Sequence, residues 1–303
     1  MDNSKIKKYK KLLAYCVGAL LLLVALLLFS DYRDFPSLKY FLTQSKVETN
    51  PEEDTVRFLD VGQGDSILIS SNGYHALIDF GNQSDFGSEL LDTLRSYGVV
   101  ELDCVILSHY DTDHAGGAAK IIGAFEVHNA LLPEQNDRSQ TTFDNLQYAL
   151  ENNKTKVHIP KVGTVVNIGD FEITVLAYNR DAENDNDQSL VLMAEIDGKK
   201  FLFTGDAGTE IEEQLIRDNI NVDCDVFKAA HHGSRNSNSK EFLTAATPSY
   251  GVISVGASNQ YGHPHEEVID NLCEVGAKIY RTDRSGDITF KLESGSIKVE
   301  TEY

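Results

Sequence analysis

Residues 104–117 read Cys-Val-Ile-Leu-Ser-His-Tyr-Asp-Thr-Asp-His-Ala-Gly-Gly, which places His109, Asp111, Asp113 and His114 within a span of six residues. Two imidazoles and two carboxylates at this spacing suit a borderline or hard divalent cation such as Zn²⁺ or Mn²⁺. In extended or turning backbone alternate residues project to one side, so His109, Asp111 and Asp113 can point together while His114 reaches round the turn. The apolar run before them predicts a buried strand, and Gly116-Gly117 after them opens a helix. A strand end that gives way to a helix is where α/β folds place their chemistry. Further groups of the same kind close other predicted strands or occupy nearby loops: Asp79, Asp206, His231, His232, His263 and His265. Six of the nine histidines thus fall in three short loops, whereas His75, His128 and His158 lie within or beside predicted strands and read as structural.

Two adjacent ions would need a bridging carboxylate as well as terminal ligands. One ion could use His109 and Asp111, the other Asp113, His114 and a distant histidine, with Asp206 between them. Water bridging such a pair loses a proton near neutral pH, and the cations clamp the oxygens of an in-line displacement. A neighbouring histidine can then protonate the leaving oxygen or hold the oxyanion.

Several elements must bring these groups together. Residues 56–61 and 66–69 read as strands flanking Gly62-Gln63-Gly64-Asp65, and 75–79 as a third, an antiparallel meander. A helix over 89–97 and the strand 102–107 follow, then helices near 115–123 and 142–152 and strands near 127–131, 156–159 and 164–167. The second half repeats the alternation, with strands at 171–176, 189–196, 200–203, 224–228 and 250–255 and helices at 209–218, 240–246 and up to 275. Strands near 278–281, 287–292 and 297–300 close the chain. This order predicts two sheets packed face to face with helices outside, and one rim shared by the polar strand ends.

The chain carries a net charge of −20, yet its first eleven residues hold five lysines, so the remainder has 22 basic against 46 acidic side chains. A body so acidic repels polyanions at long range, which argues against non-specific, salt-driven nucleic-acid binding by the body alone. It does not exclude a phosphodiester substrate, because bound cations reverse the sign of the potential in a cleft. Cys16 lies in the apolar N-terminal segment, and Cys104, Cys224 and Cys273 match no Cys-x-x-Cys pair and read as buried small hydrophobes.

Residues 12–29 form an uncharged stretch of 18, which as a helix spans roughly 27 Å, enough for a bilayer core. The lysines before it predict a cytoplasmic tail over 1–11 and a body outside the cytoplasm. A cleaved signal peptide is the competing expectation, but Ser30-Asp31-Tyr32-Arg33 offers no small-x-small cleavage site. The expected division is therefore a tail at 1–11, a single-pass anchor at 12–29, a juxtamembrane linker at 30–54 and a catalytic domain at 55–303.

Six motifs carry a resemblance: Phe-Leu-Asp-Val-Gly-Gln-Gly-Asp-Ser at 58–66, Leu-Ile-Asp-Phe-Gly ending at 81, Ser-His-x-Asp-x-Asp-His-x-Gly-Gly at 108–117, Phe-Thr-Gly-Asp at 203–206, His-His-Gly-Ser at 231–234 and Tyr-Gly-His-Pro-His at 261–265. In this order they resemble the metallo-β-lactamase superfamily, and within it the branch containing the hydrolase-like domain of ComEC, the competence DNA-uptake channel, and teichoic-acid phosphorylcholine esterases. The resemblance implies an αββα sandwich with a dinuclear site at the common edge of its sheets. It implies His109, Asp113, His114 and Asp206 as ligands, His263 completing the second metal's shell, and Asp79 orienting ligands from behind. His231 or His232, the latter preferred, would face the substrate, and Asp60, Gln63 and Asp65 would lie near the rim.

There are two departures from the superfamily pattern. Asp111 stands where the common His-x-His-x-Asp-His pattern has its second histidine, a change ComEC-like members share and one that favours harder ions such as Mn²⁺. The third-motif histidine has no counterpart, and Asn186, Asp187 or Ser189 occupies its place. The expectation is a membrane-anchored, extracytoplasmic phosphodiesterase or nuclease with two divalent ions, ligands His109, Asp111, Asp113, His114, Asp206 and His263, and catalytic groups Asp113, His231 and His232. DNA and a cell-envelope polymer are the candidate substrates. A phosphorylcholine esterase and a non-catalytic metal-binding surface module are the alternatives, and a β-lactamase proper would need the His-rich first site that is missing.

Overall fold

Alternation with a period of two sorts the strand residues onto two faces, and the two faces bury against different partners. The computed structural model describes residues 53–82, 86–134, 140–293 and 295–303. In β1 (Asp54–Phe58), β2 (Ile67–Ser71) and β3 (Tyr74–Ile78), the residues Val56, Phe58, Ile67, Ile69, Ala76 and Ile78 point into one apolar cluster. Leu68 and Leu77, between them in sequence, point into another. The same split occurs in β10 (Lys199–Phe203), where Phe201 and Phe203 share the first cluster and Leu202 faces the opposite side.

The first cluster is the seam between two sheets. Among the described residues one sheet has eight strands in the order β15 (Ser296–Thr301), β14 (Ile288–Glu293), β1, β2, β3, β4 (Glu101–Ile106), β5 (Glu126–Leu131), β6 (Lys156–His158), and the other has seven in the order β13 (Lys278–Arg281), β12 (Tyr250–Ile253), β11 (Val226–Lys228), β10, β9 (Val191–Ile196), β8 (Phe171–Ala177), β7 (Val165–Ile168). Phe58 meets Phe203 at 6.1 Å across this seam and Phe290 of its own sheet at 5.7 Å, and Phe290 in turn meets Phe201 across the seam at 6.1 Å. Helices Phe86–Ser96, Ala118–Ala124 and Gln140–Asn153 cover the outer face of the first sheet, and Thr209–Arg217, Lys240–Ala246 and Glu266–Glu274 cover that of the second. The layers are therefore helix, sheet, sheet, helix, as expected.

The expected meander is present, since β2 pairs antiparallel with both β1 and β3. The place of the last strands is new: β14 (Ile288–Glu293) returns to pair with β1, so the chain's end closes the first sheet. The helix expected near 115–123 is two helices, Thr112–Ala115 and Ala118–Ala124, broken at Gly116-Gly117. Gly117 lies against the Phe80 carbonyl, 2.2 Å from where a Cβ would stand, and its amide donates to Gly81. Cys104 and Cys224 are buried as expected, but Cys273 is exposed, on the solvent side of its helix; none of the three is in a disulfide.

Parallel pairing brings strand ends to one edge. β3 pairs parallel with β4 (Glu101–Ile106), and β10, β11 (Val226–Lys228) and β12 (Tyr250–Ile253) run parallel side by side. Asp79, Ser108, Asp206, Ala229 and Ser254 all follow the carboxyl ends of these strands. Among the described residues no helix is long and apolar enough to cross a membrane, and the stretch 12–29 lies outside them.

Candidate metal centre

Three histidine rings meet at this edge, each held from behind. Ser108 Oγ donates to Asp79 Oδ2 at 2.7 Å, so it accepts from His109 Nδ1 at 3.0 Å. His114 Nδ1 donates to the same Asp79 oxygen at 2.8 Å, and His232 Nδ1 donates to the Ser254 carbonyl at 3.0 Å. With each Nδ1 committed, all three rings turn Nε2 inward. His114 Nε2 lies 3.2 Å from Asp206 Oδ1, His109 Nε2 lies 3.9 Å from Asp206 Oδ2, and His232 Nε2 lies 3.2 Å from Asp113 Oδ2 and 3.7 Å from Asp206 Oδ2.

Buried polar atoms normally find partners. Here the Nε2 atoms of His109, His114 and His232 and the Oδ1 of Asp206 are buried with no hydrogen-bond partner. Burial would lower His232, yet Asp206, Asp113 and Asp65 together raise it to about 9. Burial likewise opposes the charge on His114, and Asp206 and Asp79 raise it well above the ordinary imidazole value. Without an ion, protons therefore collect on the inward nitrogens of His114 and His232. Converging imidazole lone pairs and carboxylates that attract positive charge fit a divalent cation. His109, His114 and Asp206 have ligand atoms within 4.8 Å of one another, close enough for adjacent ions that share Asp206.

The remaining expected groups fall around this core. Asp111 lies on the open side, its Oδ2 3.7 Å from His109 Nε2 and its side chain 45% exposed. Asp113 lies between the core and the mouth. The two adjacent histidines differ in the opposite sense to the expected preference, with His232 enclosed and His231 at the surface of the site, its side chain 27% exposed and its Nε2 3.9 Å from Asp206. Both occupy the left-handed region, at φ 49° and 54°, conformations that cost non-glycine residues about 1–3 kcal/mol each and gather at functional sites. His263 is half-buried, stacks on Tyr261 at 5.6 Å and meets the His231 ring at 5.5 Å. It forms no ion pair with a described carboxylate within 4.0 Å, and burial and the neighbouring histidines push it down to about 4. His265 turns away and accepts from the Arg235 amide.

Four supporting groups were not singled out for their roles by the sequence patterns. Ser108 ties Asp79 to His109. Lys228 is wholly buried, its Nζ 2.6 Å from Asp65 Oδ2. Burial would raise the Asp65 carboxyl, but Lys228 and His114 hold it well below the usual carboxylate range. Asp65 faces the Nδ1 sides of His114 and His232, at 3.9 and 3.4 Å, and so supports the rings from behind. Ser254 offers its carbonyl to His232. Asn186 Nδ2 donates to His231 Nδ1 at 3.3 Å, which leaves the His231 proton on Nε2, facing the site. The signal for Lys228 was a charged residue ending an apolar strand; Ser254 acts through its backbone, which side-chain type does not reveal.

The segment lacking a third-motif histidine supports the site through neutral contacts. Ser189 Oγ accepts from the Asp206 amide, and Asp187 accepts from the Gly208 amide. Between the turn at Gln63, the loop 110–113 and Tyr261 a cavity of about 300 Å³ opens beside Asp111 and Asp113. A second acidic group, Glu101, Asp103 and His128, is partly exposed on β4 and the strand Glu126–Leu131 beside it.

A two-sheet sandwich with helices outside and a histidine and aspartate cluster on its shared edge defines a class. The chain belongs to the metallo-beta-lactamase superfamily, whose family profile matches residues 59–257. It is 30% identical over 271 residues to ComE operon protein 3 of Bacillus subtilis, a match covering 83% of this chain and 35% of that protein. It is 32% identical over 255 residues to Competence protein ComA of Neisseria gonorrhoeae, covering 84% of this chain and 34% of that one. The chain thus spans about a third of the length of these relatives, and the ComEC-like branch is the one it falls in. In fold it is similar to the metallo-beta-lactamase fold protein YhfI of Bacillus subtilis, with a TM-score of 0.52 at 17% identity over 79% of this chain and 100% of that one.

Proposed function

We propose that this chain is a membrane-anchored, extracytoplasmic, metal-dependent phosphodiesterase of the ComEC-like branch, with a DNA strand as the favoured substrate. The observation that supports it most is the set of inward, unpartnered Nε2 atoms around Asp206. His109, Asp111 and Asp206 would hold one ion and His114, Asp113, Asp206 and His232 the other, with His263 at the open margin. Two cations held there would lower the pKa of a water and offset phosphate charge. The chain's own residues do the rest. Asp79, Ser108 and Ser254 fix the rings, which keeps their geometry ready before substrate arrives. His231, with Asn186 holding its proton on Nε2, donates to the leaving oxygen or a non-bridging phosphate oxygen. The basic tail and apolar stretch at 1–29 support the anchor, with the body at 55–303 outside the cytoplasm.

The test uses the full chain in detergent, stripped of metal and reloaded separately with Mn²⁺ and Zn²⁺. Turnover of bis-(p-nitrophenyl) phosphate and of DNA, reduced at least a hundredfold in Asp113→Ala and Asp206→Ala, is the expected result. Turnover of p-nitrophenyl phosphorylcholine alone would replace DNA by an envelope polymer. A folded, metal-loaded chain inert on all of them would leave a binding module.

A further inference from the structure

We infer that the cavity beside Asp111 and Asp113 is a nucleobase subsite in which Tyr261 stacks one unpaired base next to the scissile phosphate; this rests on the phosphodiesterase reading above. Tyr261 is 65% exposed, an unusual position for a large ring on a loop bordering the metal centre. One of its faces lies on His263, with ring planes 25° apart, so the ring is held while its other face is open. A ring buttressed on one side and free on the other is a stacking platform, and stacking accepts any base because every base has a π-face.

The walls fit the same ligand. The cavity, about 300 Å³, is at the lower end of the sizes that hold small ligands, roughly 300–1,000 Å³. Gln63 and Asn82 line it with neutral amides, which offer both donors and acceptors to a base edge. Gln63 uses its Oε1 to accept from Gly256, and its Nε2 is buried with no partner. Thr112 adds a hydroxyl. A quaternary ammonium would instead favour a cage of several aromatic faces, and among the described residues the one other aromatic lining this cavity, Tyr110, is buried. The acidic body offers a strand no long basic track, so grip must come from the phosphate at the metals and from a base beside it. A base can reach Tyr261 only when it is not stacked in a duplex, which makes single strands and frayed ends the better substrates.

The experiment measures KM of the full, Mn²⁺-loaded chain for a labelled single-stranded oligodeoxynucleotide and for its abasic counterpart, which has the same phosphates without bases. The wild-type KM should be lower for the base-bearing strand by roughly tenfold to a hundredfold, the range that stacking on an aromatic ring gives. Tyr261→Ala should abolish that difference, Tyr261→Phe should keep it, and Tyr74→Ala, an exposed tyrosine at a distant turn, should not alter it. A readout independent of turnover is ultraviolet cross-linking of a 5-iodouracil strand, which should map to Tyr261 by mass spectrometry and vanish in the alanine variant. Equal KM values for the two strands in wild type, with turnover intact, would overturn the subsite and leave the phosphodiesterase reading standing. A folded, metal-loaded chain that cleaves neither strand nor an activated diester would overturn both.

Discussion

At the scale of single residues the site depends on where protons and counter-charges are placed behind it. Lys228 has no exposure to solvent and gives Asp65 its opposite charge. Removing one member of a buried pair leaves an uncompensated charge and typically costs 3–5 kcal/mol, whereas removing both is far milder. Lys228→Met should therefore lose about 3–5 kcal/mol in urea unfolding at pH 7, and Asp65→Asn with Lys228→Met should recover most of it. The depressed Asp65 contributes stability above about 3.9, its unfolded value, and loses it only as the pH falls through its lowered native value. Without Lys228 the carboxyl takes up a proton at a higher pH, so the cost of Lys228→Met should shrink between pH 7 and pH 4. A cost independent of pH would show that lost packing, not charge, dominates.

At the scale of elements, two close backbone approaches set the loop 109–114 against its neighbours. The Gly64 backbone, at φ 142°, passes so near this loop that a Cβ would stand 2.3 Å from the Asp113 carbonyl, which also accepts from the Asp65 amide at 3.2 Å. On the other side the Phe80 amide donates to the His114 carbonyl at 2.7 Å. Gly64→Ala must push the loop aside or strain a backbone that only glycine adopts freely. It should weaken Mn²⁺ binding by at least tenfold in calorimetry while most of the fold is kept, because the seam between the sheets is elsewhere. Unchanged affinity would mean that Asp113 follows the shifted backbone without loss.

At the scale of the whole molecule, the charge distribution makes the proposed anchor testable. A body of 22 basic and 46 acidic side chains outside a basic tail and an uncharged stretch of 18 is asymmetric in the manner of a positive-inside anchor. The chain should sediment with membranes after alkaline carbonate washing, and protease added to intact spheroplasts should remove the body and spare the tail. Release by carbonate would favour the cleaved signal peptide.

The sequence by itself pointed to much of the candidate metal centre. His109, Asp113, His114 and Asp206 were legible because they stand at strand ends, where type and spacing show at short range, and the order of strands and helices was enough to predict two sheets with helices outside. What only tertiary structure decided was long-range. The return of β14 to β1 pairs residues far apart in the chain, which no local pattern encodes. Which of His231 and His232 is enclosed depends on a left-handed turn and on the Ser254 carbonyl. The Asp65 and Lys228 pair joins two halves of the chain. Local periodicity fixes which face of a strand is buried, but the partner of a buried polar atom is set only when distant segments pack.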